Sequence, residues 1–383
     1  MNRVAILTIN DYNNYGNRLQ NYATQEVLKD LELSVKTIVT NVECEKKNDY
    51  NKSDILHKMY KLKNMPPKLV YEKIKNKAFN IIYKNNIQVS KQKRLERFKK
   101  FTNDNICETK YYISQSNIPK TLKDEFDYFV VGSDQVWNPT FRYGSSIDFL
   151  TFAPPCKRIA YAPSFGIDKI PSKYINDYAK WLSQMHRLSV REESGARIIK
   201  DLTNREAQVL IDPTLMLSKE KWLSISKKDK FKPKYKYLLT YFLGDVSQEI
   251  KKKIKKIAKR NNLLIVNLAS IRDLKRYQAG PSEFIDYINS ASVLFTDSFH
   301  GCVFSILLGT AFVVFEREGK LSNMNSRIDT LLKTFKLQNR KSNNILSDEQ
   351  IFEANYDHIT SILEVERKKS LDYLKEALNI KND

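Results

Sequence analysis

The sequence predicts an α/β protein with two Rossmann-like domains facing a central cleft, and a basic helical insertion in the first domain. Three observations lead there. Short apolar runs of strand length alternate with amphipathic segments of helix length, the pattern of parallel βαβ units. That alternation pauses after residue 45, resumes near 128 and starts afresh near 235. The chain has 383 residues, 42% of them hydrophobic. Domains typically run to about 100–200 residues, so two cores are expected.

The elements follow in order. Val4 to Ile9 is an apolar strand, followed by a turn of Asn, Asp, Tyr and Gly. A helix from Arg18 to Leu31 comes next, with Leu19, Tyr22, Ala23, Val27 and Leu31 at helical spacing, and then a strand from Ser34 to Val39. The Lys-rich stretch from Ser53 to Lys100 reads as two or three amphipathic helices broken at Met65-Pro66-Pro67, since proline interrupts a helix. Strands resume at Tyr128 to Val131, Arg158 to Ala162, Leu188 to Val190 and Val209 to Ile211, with a helix from Glu192 to Leu202. In the second unit, strands are expected at Tyr237 to Leu243, Leu263 to Leu268, Val293 to Phe295 and Ala311 to Phe315. Helices are expected at Gln248 to Asn261, Ser282 to Ala291 and Gly301 to Leu308. Ser, Lys and Pro accumulate over 216–235, so the domains are expected at 1–225, with the insertion at about 50–105, and at 226–383. Helices over 348–379 are expected to pack back on the first domain.

Composition narrows the function classes. No run of about 18 apolar residues is present, so no transmembrane helix is expected. The N-terminus lacks the order of a signal peptide, which leads to a cytoplasmic expectation. Cys44, Cys107, Cys156 and Cys302 are scattered, without the spacing of a zinc site or a disulfide framework. The net charge is +21, and between Glu45 and Glu125 there are 20 Lys/Arg against 9 Asp/Glu. This surplus fits a compositional bias toward Lys, Asn and Ile. It equally fits an electrostatic surface for an anionic substrate or anionic lipid, with peripheral attachment at the inner membrane face. Nucleic acid is not expected, because no zinc-finger or RNP signature is present. With no GxGxxG, P-loop or metal cluster, no cofactor and no metal site are expected.

Four segments carry a family resemblance. They are Asn14-Tyr15-Gly16-Asn17-Arg18-Leu19-Gln20-Asn21-Tyr22-Ala23, Val131-Gly132-Ser133-Asp134-Gln135-Val136-Trp137-Asn138-Pro139, Ser189-Val190-Arg191-Glu192-Glu193 with Asp212-Pro213-Thr214, and Thr296-Asp297-Ser298-Phe299-His300-Gly301. In this order they resemble the polysaccharide pyruvyl transferase family. The resemblance implies that phosphoenolpyruvate is the co-substrate. Its three-carbon unit would pass to two hydroxyls of a sugar, on a polysaccharide or a lipid-linked oligosaccharide.

Such a donor carries a phosphate and a carboxylate, which arginine binds with planar, bidentate geometry. The resemblance assigns donor contact to Arg191, at a strand end and a helix start. His300 sits at a strand-turn-helix junction, and its imidazole suits proton transfer near neutral pH or phosphate binding. Its bland alternative is a buried histidine capping an apolar helix. Gly301 is expected to let the backbone approach the ligand. Many members carry Arg two residues before the His, where this chain has Ser298. Ser298 and Asp297 are then candidate helix caps, and Arg327 is the candidate replacement cation, ahead of Arg317 and Lys320.

Asp134, on a tight turn, is a candidate general base or a turn residue, and Asp212 before Pro213 reads as structural. Ser133, beside Asp134, joins the candidate substrate contacts. Asn17, Arg18 and Gln20 are candidate contacts to the acceptor, with Tyr12 or Tyr15 stacking on a sugar ring. Two other readings stand beside the pyruvyl transferase. One is a nucleotide-sugar glycosyltransferase of similar fold, using Glu316 or Glu318 beside Arg317. The other is a sugar- or membrane-binding protein without activity.

Overall fold

The computed structural model describes residues 2–41, 67–317 and 326–381. Parts of the expected insertion, together with Cys44, Glu318 and Lys320, lie outside the described residues. Among the described residues there are eleven strands: β1 (Arg3–Leu7), β2 (Ser34–Thr40), β3 (Glu108–Ile113), β4 (Tyr128–Val131), β5 (Arg158–Ala160), β6 (Ser189–Val190), β7 (Gln208–Val209), β8 (Tyr237–Tyr241), β9 (Leu264–Asn267), β10 (Val293–Thr296) and β11 (Phe312–Val314). They form a five-stranded sheet in the order β3-β2-β1-β4-β5, a four-stranded sheet β11-β10-β8-β9 and a two-strand pair β6-β7. Every pairing between these strands is parallel. A bridge between Ile159 and Arg187 ties the pair to the first sheet. Two open parallel sheets put their loops at the strand C-termini, where such folds bind ligands.

The longer helices are α1 (Tyr15–Lys29), α2 (Pro67–Ile82), α3 (Lys84–Asn105), α4 (Ile175–Ser183), α5 (Glu193–Thr203), α6 (Gln248–Arg260), α7 (Pro281–Asn289), α8 (Phe299–Leu308), α9 (Ser326–Thr334) and α10 (Ile359–Ala377). Helix α1 begins three residues before the expected start, because the Asn14 side chain accepts from Asn17 N and caps it. Within the described insertion, the break between helices falls at Tyr83. Strand β3 and helix α4 have no counterpart in the sequence reading. Strand β3 is an edge strand in which only Ile113 is buried, so its apolar signal is weak.

One hydrophobic cluster runs through both halves. Tyr15 of α1 stacks on Phe284 of α7 at 4.4 Å between ring centroids and on Phe98 of α3 at 5.2 Å. Trp222 bridges Tyr22 and Phe304. Helix α10 lies against the first sheet and its loops: Tyr373 Oη donates to Ala160 O at 2.6 Å, and Arg367 donates to Leu215 O and Leu217 O at 2.7 Å each. No helix among the described residues is long and apolar enough to cross a membrane.

Candidate active site

The ends of β1, β4 and β10 face one another across a cavity of about 340 Å³, near the lower end for small-ligand sites, about 300 Å³. Ile9, Asp11, Asn14, Asn17, Asp134, Gln135 and Phe141 line it from the first half, and Leu243, Ser298, Phe299, His300, Arg317 and Arg327 from the second.

The first half supplies a turn after β4. Gly132 has φ +120° and Asp134 φ +61°, a left-handed conformation that glycine and aspartate tolerate best. A side chain on Gly132 would run into the Tyr161 carbonyl. Gln20 Oε1 accepts from Ser133 N at 3.1 Å, and Gln20 Nε2 donates to Thr8 Oγ1 at 2.7 Å. Helix α1 thus holds the turn in place. The Ser133 hydroxyl donates inward, to Asp212 Oδ2 at 2.8 Å.

Two buried carboxylates share one arginine. Arg191 Nη1 donates to Asp212 Oδ2 at 2.5 Å and Nη2 to Asp134 Oδ1 at 3.3 Å, while the guanidinium lies over the Phe299 ring at 4.2 Å. Asp134 also accepts from the Asn17 amide and from Gln135 N. Burial alone would raise the pKa of Asp134, but Arg191, His300 and Arg327 outweigh it and hold the carboxyl below the usual range. Burial opposes ionisation of Asp212 too, yet the facing His300 imidazole and Arg191 keep it far below that range. Burial also works against the Arg191 charge, but Asp212 and Asp134 reverse this and raise its pKa. Asp212 caps the turn that follows it, accepting from Thr214 N and Oγ1. The structural reading of Asp212 is therefore incomplete, because its second oxygen sits at the centre of the cluster.

The second half contributes α8. Ser298 is its N-cap, accepting from Gly301 N at 3.3 Å. His300, in the first turn, is 6% exposed. Its imidazole packs against Gly16 of α1 and edge-on to Phe299. His300 Nε2 lies 3.7 Å from Asp212 Oδ2 and has no hydrogen-bond partner. Arg327, on α9, lines the cavity with Nη1 3.9 Å from Asp134 Oδ1, and its Nε is without a partner. The Gln135 amide lies 3.0 Å from both of its Nη atoms. Burial, reinforced by the nearby Arg191 charge, lowers its pKa to about 10, so it stays charged at neutral pH. Arg317 is held by Asp297 at 3.2 Å, and Asp297 accepts from Leu243 N and Gly244 N.

The structure gathers His300, Asp134, Arg191, Asn17, Ser133, Ser298 and Arg327 into this cluster. It places four expected contacts elsewhere. Arg18 is spent on Glu108 Oε1 at 2.8 Å and Ile9 O at 3.0 Å. Tyr15 is buried in the aromatic core, where its hydroxyl donates to Ala279 O. Gln20 orients the Ser133 turn. Gly301 turns its bare side to Thr296, whose Oγ1 an added Cβ would approach to 2.7 Å, rather than to a ligand. Tyr12 likewise bonds Glu108, at 2.7 Å. Glu192, which the sequence marks only as a helix start within a family segment, has a role beside the site: its Oε1 accepts from Ser164 Oγ, Phe165 N and Gly166 N, bracing the loop after β5. Burial raises its pKa against the pull of Arg191 and Arg327. The Arg191-Glu192-Glu193 run was the available signal. Among the described residues, Cys107, Cys156 and Cys302 are free thiols, and no group of His, Cys, Asp and Glu is placed to hold a metal ion.

Comparison with solved structures supports the architecture. A putative UDP-N-acetylglucosamine 2-epimerase from Listeria monocytogenes aligns with a TM-score of 0.53 at 8% identity, over 100% of this chain and 98% of that one. The S. aureus MnaA–UDP structure aligns with a TM-score of 0.50 at 9% identity, over 100% and 98%. At such identities the likeness concerns the fold, two Rossmann-like domains about a cleft. No curated protein sequence matches. The polysaccharide pyruvyl transferase family model matches residues 14–319. That span contains the Asp134, Arg191, Asp212 and His300 cluster, and the chain belongs to the polysaccharide pyruvyl transferase family and is a transferase.

Proposed function

We propose that the protein transfers the pyruvyl group of phosphoenolpyruvate to two hydroxyls of one sugar, forming a cyclic ketal on a polysaccharide or its lipid-linked precursor. The observation that carries this reading is the distribution of committed and uncommitted groups around the cavity. The two aspartates are already satisfied by Arg191, Asn17 and Ser133, whereas Arg327 Nε, His300 Nε2 and the third nitrogen of Arg191, its Nε, have no hydrogen-bond partner. Buried polar groups left unpaired are unusual and favour a ligand partner.

The reaction needs an anion-binding cation and a group that moves protons. Two C–O bonds form at the donor's second carbon while its C–O bond to phosphate breaks. Of the two hydroxyl protons released, one goes to the donor's methylene carbon, making it a methyl, and the other leaves with the phosphate. His300 is the proton-transfer group, and Arg327 binds the donor's anionic end in place of the arginine that Ser298 lacks. Asp134 does not serve as the base. Its depressed pKa makes it a weak one, and it instead holds Asn17 and Arg191 in position. Asp11, Asn14 and Phe141 offer polar and aromatic surface to the acceptor.

The test combines turnover with binding. With phosphoenolpyruvate and lipid-linked glycans, the wild type should release phosphate and add the mass of a pyruvate ketal, and His300→Ala should not. Calorimetry should show phosphoenolpyruvate binding that Arg327→Ala loses. A glycosyltransferase is the second reading, favoured by the UDP in the S. aureus fold neighbour. Failure of the wild type to bind phosphoenolpyruvate, with consumption of a UDP-sugar instead, would replace the first reading by the second.

A further inference from the structure

Helix α2 exposes an apolar stripe that no part of the described chain covers. Tyr71 and Ile74 are each 63% exposed, Ile81 66% and Ile82 73%. With Ala78 they recur at i, i+3, i+7, i+10 and i+11. At about 100° per residue this is one face of the helix. On the same projection Lys75 falls at one edge of the stripe and Lys77 at the other, and both are exposed. Tyr83 and Val89 continue the exposed apolar surface into the next helix at 42% and 50%. Phe79, off the stripe, anchors the helix to the molecule by packing on Tyr83 and under Arg272. A surface helix normally turns its apolar face to the core; this one turns it outward, and lysines flank it.

We infer that α2 is an in-plane membrane anchor that seats the protein on an anionic lipid surface, its apolar stripe among the acyl chains and its lysines at the headgroups. Charge complementarity selects this occupant. Helix α2 holds four Lys against one Glu, within a chain of net charge +21. An anionic bilayer attracts such a face and takes up its apolar residues. A second copy of the chain would bring like-charged lysines together across a symmetric contact. The anchor also has a path to the cleft. Arg94 of the adjoining α3 donates to Asn13 Oδ1 at 2.7 Å and to Asn13 O at 3.0 Å, and Asn14 lines the cavity. Docking on a membrane would place the cleft beside a lipid-linked acceptor. The anchor goes beyond the proposed reaction and stands without it.

The test is co-sedimentation of the full chain with phosphatidylcholine vesicles, with and without phosphatidylglycerol, at low and high salt. The wild type should bind the anionic vesicles at low salt and release at high salt. Lys75→Gln with Lys77→Gln should weaken binding roughly 25-fold, since each lysine near an anionic surface contributes about fivefold. Ile74→Ser with Ile81→Ser and Ile82→Ser should abolish it. Both sets alter exposed side chains, so phosphoenolpyruvate binding should be unchanged, which separates this inference from the proposed reaction. Equal binding to neutral and anionic vesicles, or no effect of either set, would overturn the anchor. So would self-association in light scattering that the isoleucine variants remove.

Discussion

Gly16 has a single role in the site, to leave room for His300. A Cβ at position 16 would overlap the imidazole at Nδ1, so the first turn of α1 is the seat on which the histidine rests. Gly16 is helical with no positive φ, so the backbone would accept alanine, and alanine is the better helix former by up to about 1 kcal/mol. Gly16→Ala therefore sets a small gain in helix propensity against the crowding of a buried ring. Fold stability in urea unfolding should fall by no more than about 1–3 kcal/mol, the usual cost of overpacking. The imidazole should shift by the order of an ångström, which can cost about 10²-fold in rate. A variant with unchanged kcat would show that the position of His300 does not matter to the reaction. Ser298 belongs to the same scale: it caps α8, and in the proposed reaction Arg327, on a separate helix, takes the part of the cation that many family members carry there.

At the scale of elements, most of the alternation of strand and helix was legible, because buried parallel strands read as apolar runs. The departures from that pattern have physical reasons. Helix α1 is buried on nearly every side, and its inner face includes polar residues that satisfy one another: Gln25 and Asn21 both reach Thr37 Oγ1, and Gln20 reaches Thr8. An amphipathic pattern is weak there, so its start at Tyr15 was hidden. The candidate site was legible as motifs, but not as a division of labour. Nothing in the spacing of Arg18, Tyr15 and Gln20 shows that they are spent on Glu108, the aromatic core and the Ser133 turn. Helix α3 shows what the insertion does for the rest. Its buried Arg94 donates to Asn13, to Tyr15 Oη, and to the carbonyls of Tyr277 and Ala279 at 3.0 and 3.2 Å. It joins the insertion, the loop before α1 and the second half at one point. Arg94→Met keeps much of the side-chain bulk and strands the Tyr277 carbonyl, whereas Ala279 O keeps the Tyr15 hydroxyl. Urea unfolding should show a loss of about 1–3 kcal/mol, the cost of one buried acceptor left unpaired. A smaller change would mean that water replaces the guanidinium there.

At the scale of the molecule, the question is whether two Rossmann-like halves behave as two bodies or one. Chains of this size commonly unfold domain by domain. Here Tyr15 of the first half, itself stacked on Phe98, stacks on Phe284 and packs at a tilt against Tyr241 of the second, Trp222 joins Tyr22 to Phe304, and α10 returns to the first sheet. A shared core of this kind couples the stabilities of the halves, because neither can open without exposing the aromatic surface of the other. The sequence supplies a natural reporter: its three tryptophans, Trp137, Trp181 and Trp222, all lie before residue 225, so fluorescence follows the first half and, through Trp222 against Phe304, its seam with the second. Far-UV circular dichroism follows both. Phe284→Ala removes a fully buried ring in the second half and should cost about 3–5 kcal/mol. If the halves are one cooperative body, the fluorescence and dichroism midpoints coincide in the wild type and fall together in the variant. If the dichroism midpoint falls while the fluorescence midpoint stays, the shared core does not couple them. The cleft between the halves would then be free to open independently of their folding.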